Sequence, residues 1–232
     1  GISITGLTTE TFGILANSLV KKQNRNILIV TSSLYEANQI YSSIESYTEN
    51  VYLFPMDDFL TSEAIAISPE LEIIRLETLN ETLKNNTNNI YITNLMGYMR
   101  FLPSKRDFVS SILRVEVSNE ISPSSLVQKL IASGYHRETL VTKTGEIGIR
   151  GFVIDVFPIG EDYPIRIEFF GDEIESIRYF DINTQISKNS VQSIIIKPVS
   201  EFITSKEVPE EFRKQKYLPN YVDCVSSFSD YI

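Results

Sequence analysis

The chain has 232 residues, with 21 lysine and arginine residues against 30 aspartate and glutamate residues, which gives a formal net charge of −9. Hydrophobic residues make up 42% of the sequence and charged residues 22%, and this ordinary globular balance excludes a disordered acidic tail or a collagen-like repeat. A chain this acidic repels nucleic acid and anionic membranes at long range, so we expect neither as a generic partner. The length predicts one or two compact units.

The sequence contains a single cysteine, Cys224, and a single histidine, His136. These counts exclude an internal disulfide, a cysteine-rich zinc site and a two-histidine metal motif. Because no nucleophile motif accompanies His136, we expect a structural role for this residue. No apolar run approaches the roughly 18 residues that a membrane span needs, and the first residues lack the features of a signal peptide. We therefore expect a cytoplasmic protein.

In the first hundred residues, strand-like and helix-like patterns alternate. Apolar and β-branched runs predict strands over residues 2–5, 27–30, 51–54 and 90–93, and the fully apolar run at 27–30 is typical of a strand buried on both faces of the sheet. Apolar positions at helical spacing predict helices over residues 8–22, 34–44 and 69–83, and serines at the starts of the second and third are typical helix caps. Alternation of this kind is typical of an open, mostly parallel α/β sheet.

After about Ser104 the pattern changes, and strands dominate. We predict a strand over 112–117, a helix over 122–134, and further strands over 150–157, 165–170, 173–180 and 191–196. Residues 160–163 and 170–172 have the composition of hairpin connections. This part of the chain is typical of an α+β unit, distinct from the first.

The turn between the first predicted strand and the first predicted helix has the position of a phosphate-binding loop. Such a loop needs glycines, whose backbone N–H groups surround the phosphate, and a lysine at the start of the helix. Here only Gly6 remains, and Glu10 and Thr11 occupy the helix start, where a carboxylate repels a nucleotide. Lys21 and Lys22 lie about 15 Å further along the helix axis, too far to substitute. We therefore predict a degenerate loop with no bound cofactor and no catalytic residue.

Two groups of acidic residues also need an interpretation. Asp57 and Asp58 could bind a divalent cation, but such a pair in a turn is more often solvated, and we expect no metal. The acidic residues at 172–175 alternate with isoleucines, so we expect them on the solvated side of a half-buried strand.

Two arginines, Arg137 and Arg150, lie on either side of a predicted turn at Gly145. Arginine is enriched at protein interfaces because its guanidinium bonds carboxylates in pairs and stacks on aromatic rings. Strands returning from the turn could bring both arginines onto one face, and Phe152 would share the face of Arg150 if the strand is regular. The alternative is that both are ordinary surface arginines in ion pairs.

Residues 164–178, Pro-Ile-Arg-Ile-Glu-Phe-Phe-Gly-Asp-Glu-Ile-Glu-Ser-Ile-Arg, closely resemble a signature of the nucleotide-excision-repair protein UvrB, and residues 149–158 and 197–202 continue the resemblance in the same order. UvrB has an intact phosphate-binding loop, which this chain lacks. Residues 66–71 and 75–79 look instead like the bacterial transcription-repair coupling factors (Mfd), whose N-terminal UvrB-like region has lost the nucleotide site. The resemblance covers roughly residues 2–204.

The resemblance implies an α/β fold in which a degenerate helicase-like, parallel-sheet subdomain at 1–105 carries an inserted α+β domain at 106–190. Residues 191–232 would then begin a truncated return segment of the first subdomain. The resemblance further implies that the chain is a non-catalytic fragment of an ATP-dependent DNA translocase. RNA polymerase and DNA would bind to parts of that translocase outside this chain.

The function that the resemblance implies is that of an adaptor module which recruits UvrA during transcription-coupled repair. In UvrB, arginines of the inserted domain contact UvrA, and alignment on Gly145 and Gly151 places two of those positions at Arg137 and Arg150. A third position is occupied by Gly148. Two alternatives stay open: a UvrB-like ATPase or helicase subunit, disfavoured by the missing lysine, and a DNA-binding module, disfavoured by the net charge.

Overall fold

Two units divide the chain in this computed structural model, which describes residues 1, 3–58, 68–84, 86–201 and 226–232. The first unit comprises Gly1–Leu102 and Val225–Ile232, and the second comprises Pro103–Cys224. The first contains a parallel sheet and the second contains mainly antiparallel sheets. The predicted mixture of helices and strands in an α/β fold is therefore confirmed. Cys224 lies outside the described residues.

The first unit is built on a three-stranded parallel sheet with the strand order β1-β3-β2. Its strands are β1 (Ile27–Thr31), β2 (Val51–Phe54) and β3 (Ile90–Asn94). All five residues of the central strand β3 are buried, because this strand has a neighbour on each side and helices pack against the sheet. The parallel arrangement predicted from the alternating pattern is confirmed.

Among the described residues of this unit, the α-helices are α1 (Thr9–Gln23), α2 (Leu34–Glu45), α3 (Pro69–Thr82) and α4 (Leu95–Tyr98). The side chains of Thr8 and Ser33 cap α1 and α2 by accepting hydrogen bonds from backbone N–H groups of the first turn. The buried faces of α1 and α2 share one apolar core with the strands, which confirms the helical spacing predicted from the sequence.

Two predictions for this unit are wrong. Residues 3–5 form no strand, because a strand needs hydrogen bonds to a neighbour and these residues are exposed and irregular; residue 2 lies outside the described residues. The run 27–30 is a strand but is not buried on both faces, since Val30 at the edge of the sheet is 43% exposed.

The end of the chain returns to the first unit. Ser226 pairs with Leu102 in an isolated β-bridge, and a short 3₁₀ turn follows at Phe228–Asp230. The fully buried ring of Phe228 stacks on that of Phe54, with 4.2 Å between the ring centroids and 10° between the planes. Residues 226–232 thus contribute to the core of the first unit.

The second unit contains a six-stranded sheet with the order β10-β9-β8-β7-β6-β5 and a separate pair, β11-β4. Neighbouring strands are antiparallel except β5 and β6, which are parallel. The elements in chain order are α5 (Lys105–Ser110), β4 (Leu113–Glu116), α6 (Pro123–Ala132), β5 (His136–Arg137), β6 (Glu146–Arg150), β7 (Val153–Val156), β8 (Ile165–Phe170), β9 (Glu173–Phe180), β10 (Ser187–Val191) and β11 (Ser193–Ile196).

One face of the six-stranded sheet is apolar and fully covered. The isoleucines Ile154, Ile167 and Ile177 are neighbours across three strands and are at most 1% exposed. They share a core cluster with Leu126 and Leu130 of α6 and with residues of the β4–β11 pair. The predicted strands at 112–117, 165–170 and 173–180 and the helix at 122–134 are confirmed to within a few residues.

Other predicted elements of this unit need correction. The expected single strand over 150–157 is a hairpin, in which Gly151 (φ +59°) and Phe152 form the turn between β6 and β7. A backbone with this φ favours glycine, so the chain reverses there instead of continuing. The expected strand over 191–196 is likewise two strands, β10 and β11.

The pairing of β11 with β4 places residues 193–196 with the second unit, although we had assigned residues 191–232 to a return segment of the first. The apolar side chains of Ile194 and Ile196 explain this, because they belong to the core cluster of the second unit. The division into a subdomain and an inserted domain stays a prediction.

Candidate functional site

The two arginines predicted to share a face lie on opposite faces of the six-stranded sheet. Arg137 of the edge strand β5 is the neighbour of Ile147, whose side chain belongs to the apolar core. Arg150 is three residues further along β6, and successive strand residues alternate between faces, so Arg150 is on the other face. The expectation of a single face is therefore wrong, because it required a hairpin at Gly145, whereas β5 and β6 are parallel.

Phe152 does not share a strand face with Arg150 either. It lies in the hairpin turn after β6, where it is 64% exposed, and its carbonyl accepts a hydrogen bond from the N–H of Phe169 at 2.9 Å. The assumption of a regular strand was wrong at this point. The ring nevertheless lies two residues from Arg150 on the same turn, and it is available to another molecule.

The face that carries Arg150 is polar, and Arg150 is bound there to a buried carboxylate. We call this surface, made by Arg150, Asp155, Arg166, Glu168 and Arg178, the polar face. The guanidinium of Arg150 donates from Nη2 to Oδ2 of Asp155, whose side chain is only 4% exposed, while the Arg150 side chain is 51% exposed. Arg150 is therefore neither a free surface arginine nor a buried one.

Arg166 binds the same carboxylate from the opposite side. It donates from Nε to Oδ1 of Asp155 at 2.7 Å and from Nη2 to Oδ2 at 2.9 Å, which is a bidentate arrangement. The guanidinium also lies over the ring of Phe180, 4.6 Å from its centroid. The hydrogen bonds to Asp155 raise the pKa of Arg166 further above its already high value. Two cations thus share one anion.

A second ion pair lies beside this group on the polar face. Arg178 is 3.0 Å from Glu168, and the Ser176 hydroxyl donates to the same carboxylate at 2.7 Å. Phe170, two residues after Glu168 on β8, is 77% exposed. The polar face therefore combines charged groups with exposed aromatic rings at one end of the sheet, the composition typical of protein interfaces.

Gly148, the third position named by the resemblance, is the neighbour of Asp155 across β6 and β7. A Cβ atom added there would lie 3.3 Å from Cγ2 of Val141 and 3.8 Å from Cβ of Asp155. An arginine at this position would compete with Arg150 for the carboxylate, so the glycine leaves Asp155 to its two present partners.

His136 is exposed on β5, and its Nε2 is 4.0 Å from Oε1 of Glu146. Burial alone would raise the pKa of Glu146. Its carboxylate, however, accepts hydrogen bonds from the N–H groups of Thr142 and Lys143 and from the Thr142 hydroxyl, and it lies near His136. Together these contacts outweigh burial, so the pKa of Glu146 is lowered. The arrangement fixes the loop before β6. A structural role for His136 stays a prediction.

In the first unit, the turn for which the sequence predicts a degenerate phosphate loop is held by its own hydrogen bonds. Gly6 has the positive φ (+80°) of a turn, and the Thr8 hydroxyl accepts the N–H of Thr11 at 3.3 Å. The pKa of Glu10 is lowered, because its carboxylate accepts a hydrogen bond from its own backbone N–H and another from the Thr8 side chain. At the start of α1, near Gly6, the backbone N–H groups of Glu10 and Thr11 are therefore hydrogen-bonded to side chains of the protein itself.

At the start of α2, too, side chains of the protein accept hydrogen bonds from the backbone N–H groups. Both carboxylate oxygens of Asp58 accept the N–H of Leu34, at 2.8 and 2.9 Å, and Nδ2 of Asn94 donates to Asp58 at 2.7 Å. Glu36 accepts the backbone N–H of Ser32 at 3.0 Å. The carboxylate of Asp58 thus holds the start of α2 next to the end of β3. The expected absence of a metal ion at Asp57 and Asp58 stays a prediction.

Over the described ranges, no group of three histidine, cysteine, aspartate or glutamate side chains is placed to hold a metal ion. The same residues include no helix that is long and apolar enough to cross a membrane.

Sequence reasoning missed the residues that hold Arg150 in place. Asp155 and Arg166 occur in the motifs that carry the resemblance, but their pairing depends on the register of β7 and β8. The sequence Val-Ile-Asp-Val at 153–156 could have pointed to Asp155, because the alternation of a strand puts this carboxylate on the side opposite to the apolar Ile154 and Val156. Phe170 could not be recognised as an exposed aromatic residue from the sequence, because its exposure depends on its position at the end of β8.

Residues 113–202 match the family model of the UvrB interaction domain. Over 206 residues, which are 88% of this chain, the sequence is 32% identical to the transcription-repair-coupling factor of Bacillus subtilis (strain 168), of which the match covers 17%. Over 215 residues it is also 32% identical to the transcription-repair-coupling factor of Staphylococcus aureus (strain bovine RF122 / ET3-1), of which it covers 18%. The chain thus spans less than a fifth of the length of these curated relatives.

The polar face, including Arg150, lies within the stretch that matches the UvrB interaction domain model. Over most of its length the chain is also a relative of the transcription-repair-coupling factors, and the predicted resemblance is confirmed.

Proposed function

We propose that the chain is a non-catalytic adaptor module of transcription-coupled nucleotide excision repair and that its second unit recruits UvrA. The observation that carries this proposal is Arg150, a half-exposed guanidinium held by a buried carboxylate, two residues before exposed Phe152 and within the matched interaction domain. An arginine already fixed in place, next to an exposed aromatic ring, is the composition typical of an interface hot spot.

UvrA would bind around the β5–β6 edge of the sheet. Arg137 has no ion pair within the described parts of the chain, and its neighbour Ile147 is about 10 Å along β6 from Arg150. A standard interface buries about 800 Å² on each partner and extends well beyond that distance. Because β5 is the edge strand, one partner surface could reach Arg137 on one face and Arg150 and Phe152 near the other.

The proposal includes the architecture of the longer protein. The three-stranded parallel sheet would be the core of a degenerate helicase-like subdomain (1–105), interrupted by an inserted UvrA-binding domain that begins at 106 and, given the pairing of β11 with β4, extends beyond 190 to include β11, after which the chain would return to the first subdomain. The return of residues 226–232 to the first unit supports this order. RNA polymerase and DNA would be bound by parts of the full-length protein outside this chain.

A UvrB-like ATPase is the weaker candidate. Hydrolysis would need a phosphate site at a helix start, and the starts of α1 and α2 are bonded to Thr8, Glu36 and Asp58 of the chain itself. A DNA-binding module would have to overcome the net charge of −9.

The test is the capture of purified UvrA by the immobilised chain and its single variants. Arg150→Ala should weaken binding about 30-fold or more, because truncating a paired interface arginine costs about 2–5 kcal/mol. Arg137→Ala and Phe152→Ala should each weaken it several-fold. Single variants are needed because the two arginines lie on different faces.

The matched control is Arg114→Ala, since Arg114 belongs to the same unit, its side chain is 67% exposed and it pairs with Glu116 on β4. This control should bind UvrA like the unmodified chain. Equal binding of UvrA by all four variants would contradict the assignment of this surface as the UvrA interface. A loss of binding confined to Arg137→Ala would instead assign the interface to the opposite face of the sheet.

A further inference from the structure

Building on the proposed function, we infer that Asp155 is a positioning residue, which fixes the guanidinium of Arg150 in the orientation that binds a carboxylate of the partner. The argument rests on three features of the polar face: the burial of Asp155, its immobilisation by Arg166, and the donors of Arg150 that remain available.

Asp155 is itself held rigidly. The residue is 3% exposed, and Arg166 contributes two hydrogen bonds to its carboxylate from a side chain that is only 15% exposed. Arg166 in turn lies against Phe180, and its Nη1 is 3.4 Å from the carbonyl oxygen of Gln185. The carboxylate that Arg150 binds therefore has one position, determined by β7, β8 and the loop after β9.

Arg150 uses only part of its hydrogen-bonding capacity in this contact. A guanidinium has five N–H donors, and Arg150 contributes Nη2 to Asp155. Its Nε and Nη1 make no hydrogen bond within the parts of the chain that the structure describes. The group can thus keep its bond to Asp155 and still bind an acceptor of another molecule.

The charge of the group favours an anionic acceptor. Arg150 and Arg166 carry two positive charges and Asp155 carries one negative charge, so the three side chains together keep a net charge of +1. Without Arg166, Asp155 would cancel the charge of Arg150 and weaken its attraction for a carboxylate. Arg166 therefore allows Asp155 to orient Arg150 without neutralising the site.

Fixing a long side chain before association strengthens binding, because the loss of rotamer freedom does not then oppose the association. Gly148 contributes to this, since it is the neighbour of Asp155 and has no side chain that could displace Arg150. In an unpaired arginine the guanidinium would sample many positions over the sheet.

The experiment is a double-mutant cycle on UvrA binding by the whole chain, with Asp155→Asn, Arg150→Ala and the combined variant. Asp155→Asn removes the charge and preserves the shape, and it should weaken binding about tenfold in the unmodified background. In the Arg150→Ala background the same change should alter the dissociation constant by less than about twofold, because no guanidinium remains to be oriented. A purely structural role would give the same loss in both backgrounds, and that result would overturn the inference.

A second variant is independent of any effect of Asp155→Asn on folding. Arg150→Lys retains the charge but has a single ammonium in place of the planar fork, so it cannot bind Asp155 and a partner carboxylate with the same geometry. We expect it to lose nearly as much affinity as Arg150→Ala, and full affinity in Arg150→Lys would contradict the inference. If Arg150→Ala itself binds normally, the proposed function fails at this surface; if Arg150→Ala fails and Asp155→Asn binds normally, only the positioning role is lost.

Discussion

The two units use their charged side chains in different ways. In the first unit, Asp58 and Glu36 accept backbone N–H groups at the start of α2, at the end of the parallel sheet where an α/β protein would bind an anionic ligand. In the second unit, Asp155 is buried but one of its two partners, Arg150, remains half exposed. In the first unit these carboxylates are used to hold the start of a helix, whereas in the second unit the cation Arg150 stays half exposed.

The sheets explain this difference. A parallel sheet is covered by helices on both sides, and its binding groups collect at the strand ends, where a few substitutions can close the site. An antiparallel sheet has one apolar face and one face that can carry charges across several strands. We therefore propose that the second unit, and not the first, provides the binding surface of this chain.

The largest effect that we expect concerns the return of the chain to the first unit. Phe228→Ala removes a fully buried ring that stacks on Phe54 and should lower the free energy of unfolding by about 3–5 kcal/mol. Urea unfolding followed by far-UV circular dichroism measures this. The control Phe101→Ala, at a ring that is 72% exposed, should change the free energy by less than about 0.5 kcal/mol. Similar values for both variants would contradict the packing of residues 226–232 on this unit.

Asp58→Ala should lower the free energy of unfolding by about 1–2 kcal/mol, because it removes the acceptor for the first N–H of α2 and for Asn94. Asp57→Ala is the matched control, since no hydrogen bond of its side chain is described, and it should have little effect. A loss of the same size in both variants would show that the carboxylate of Asp58 has no special role.

Glu146→Gln should show a pH-dependent effect of about 1 kcal/mol. The pKa of Glu146 is lower in the folded chain than the reference 4.5, because hydrogen bonds from Thr142 and Lys143 outweigh burial. A lowered pKa stabilises the fold above the unfolded pKa, and this stabilisation is lost as the pH falls through the folded pKa. The difference from the unmodified chain, measured by urea unfolding, should be fully present at pH 7 and should shrink as the pH falls below 4.5 and through the lowered pKa of the folded chain. A constant difference across this range would contradict the assignment.

The smallest expected effect is that of nucleotide on the first unit. Mg-ATP titrated into the chain should give no binding heat, because Glu10 occupies the helix start where a phosphate-binding lysine is needed and Thr8 uses the N–H of Thr11. A dissociation constant for Mg-ATP in the micromolar range would show that the first unit has kept a ligand site, and it would contradict the difference between the two units.

Much of the fold could be predicted from local patterns. The spacing of apolar residues in α1, α2 and α6 and the apolar runs of β1, β2 and β3 depend on nearby residues, and these elements are confirmed. The hairpin at Gly151 was missed because the chain on both sides has strand composition, and only the positive φ of the glycine marks the reversal.

The candidate site was harder to predict, since its geometry depends on contacts between distant residues. Arg150 and Asp155 are five residues apart across a hairpin, and Asp155 and Arg166 are eleven apart on neighbouring strands. The sequence identified Arg150 as an interface candidate but not its buried partner. The faces of Arg137 and Arg150 were predicted wrongly, because the direction of the short strand β5 is not encoded in its two residues.

The most direct test of the central claim is sedimentation velocity of purified UvrA mixed with the unmodified chain and with Arg150→Ala. We predict a complex of the unmodified chain with UvrA at micromolar concentrations, corresponding to a binding free energy of about −8 kcal/mol or stronger. We also predict that Arg150→Ala leaves most of the chain uncomplexed under the same conditions. Sedimentation of the unmodified chain and UvrA as separate species at tens of micromolar would contradict the account.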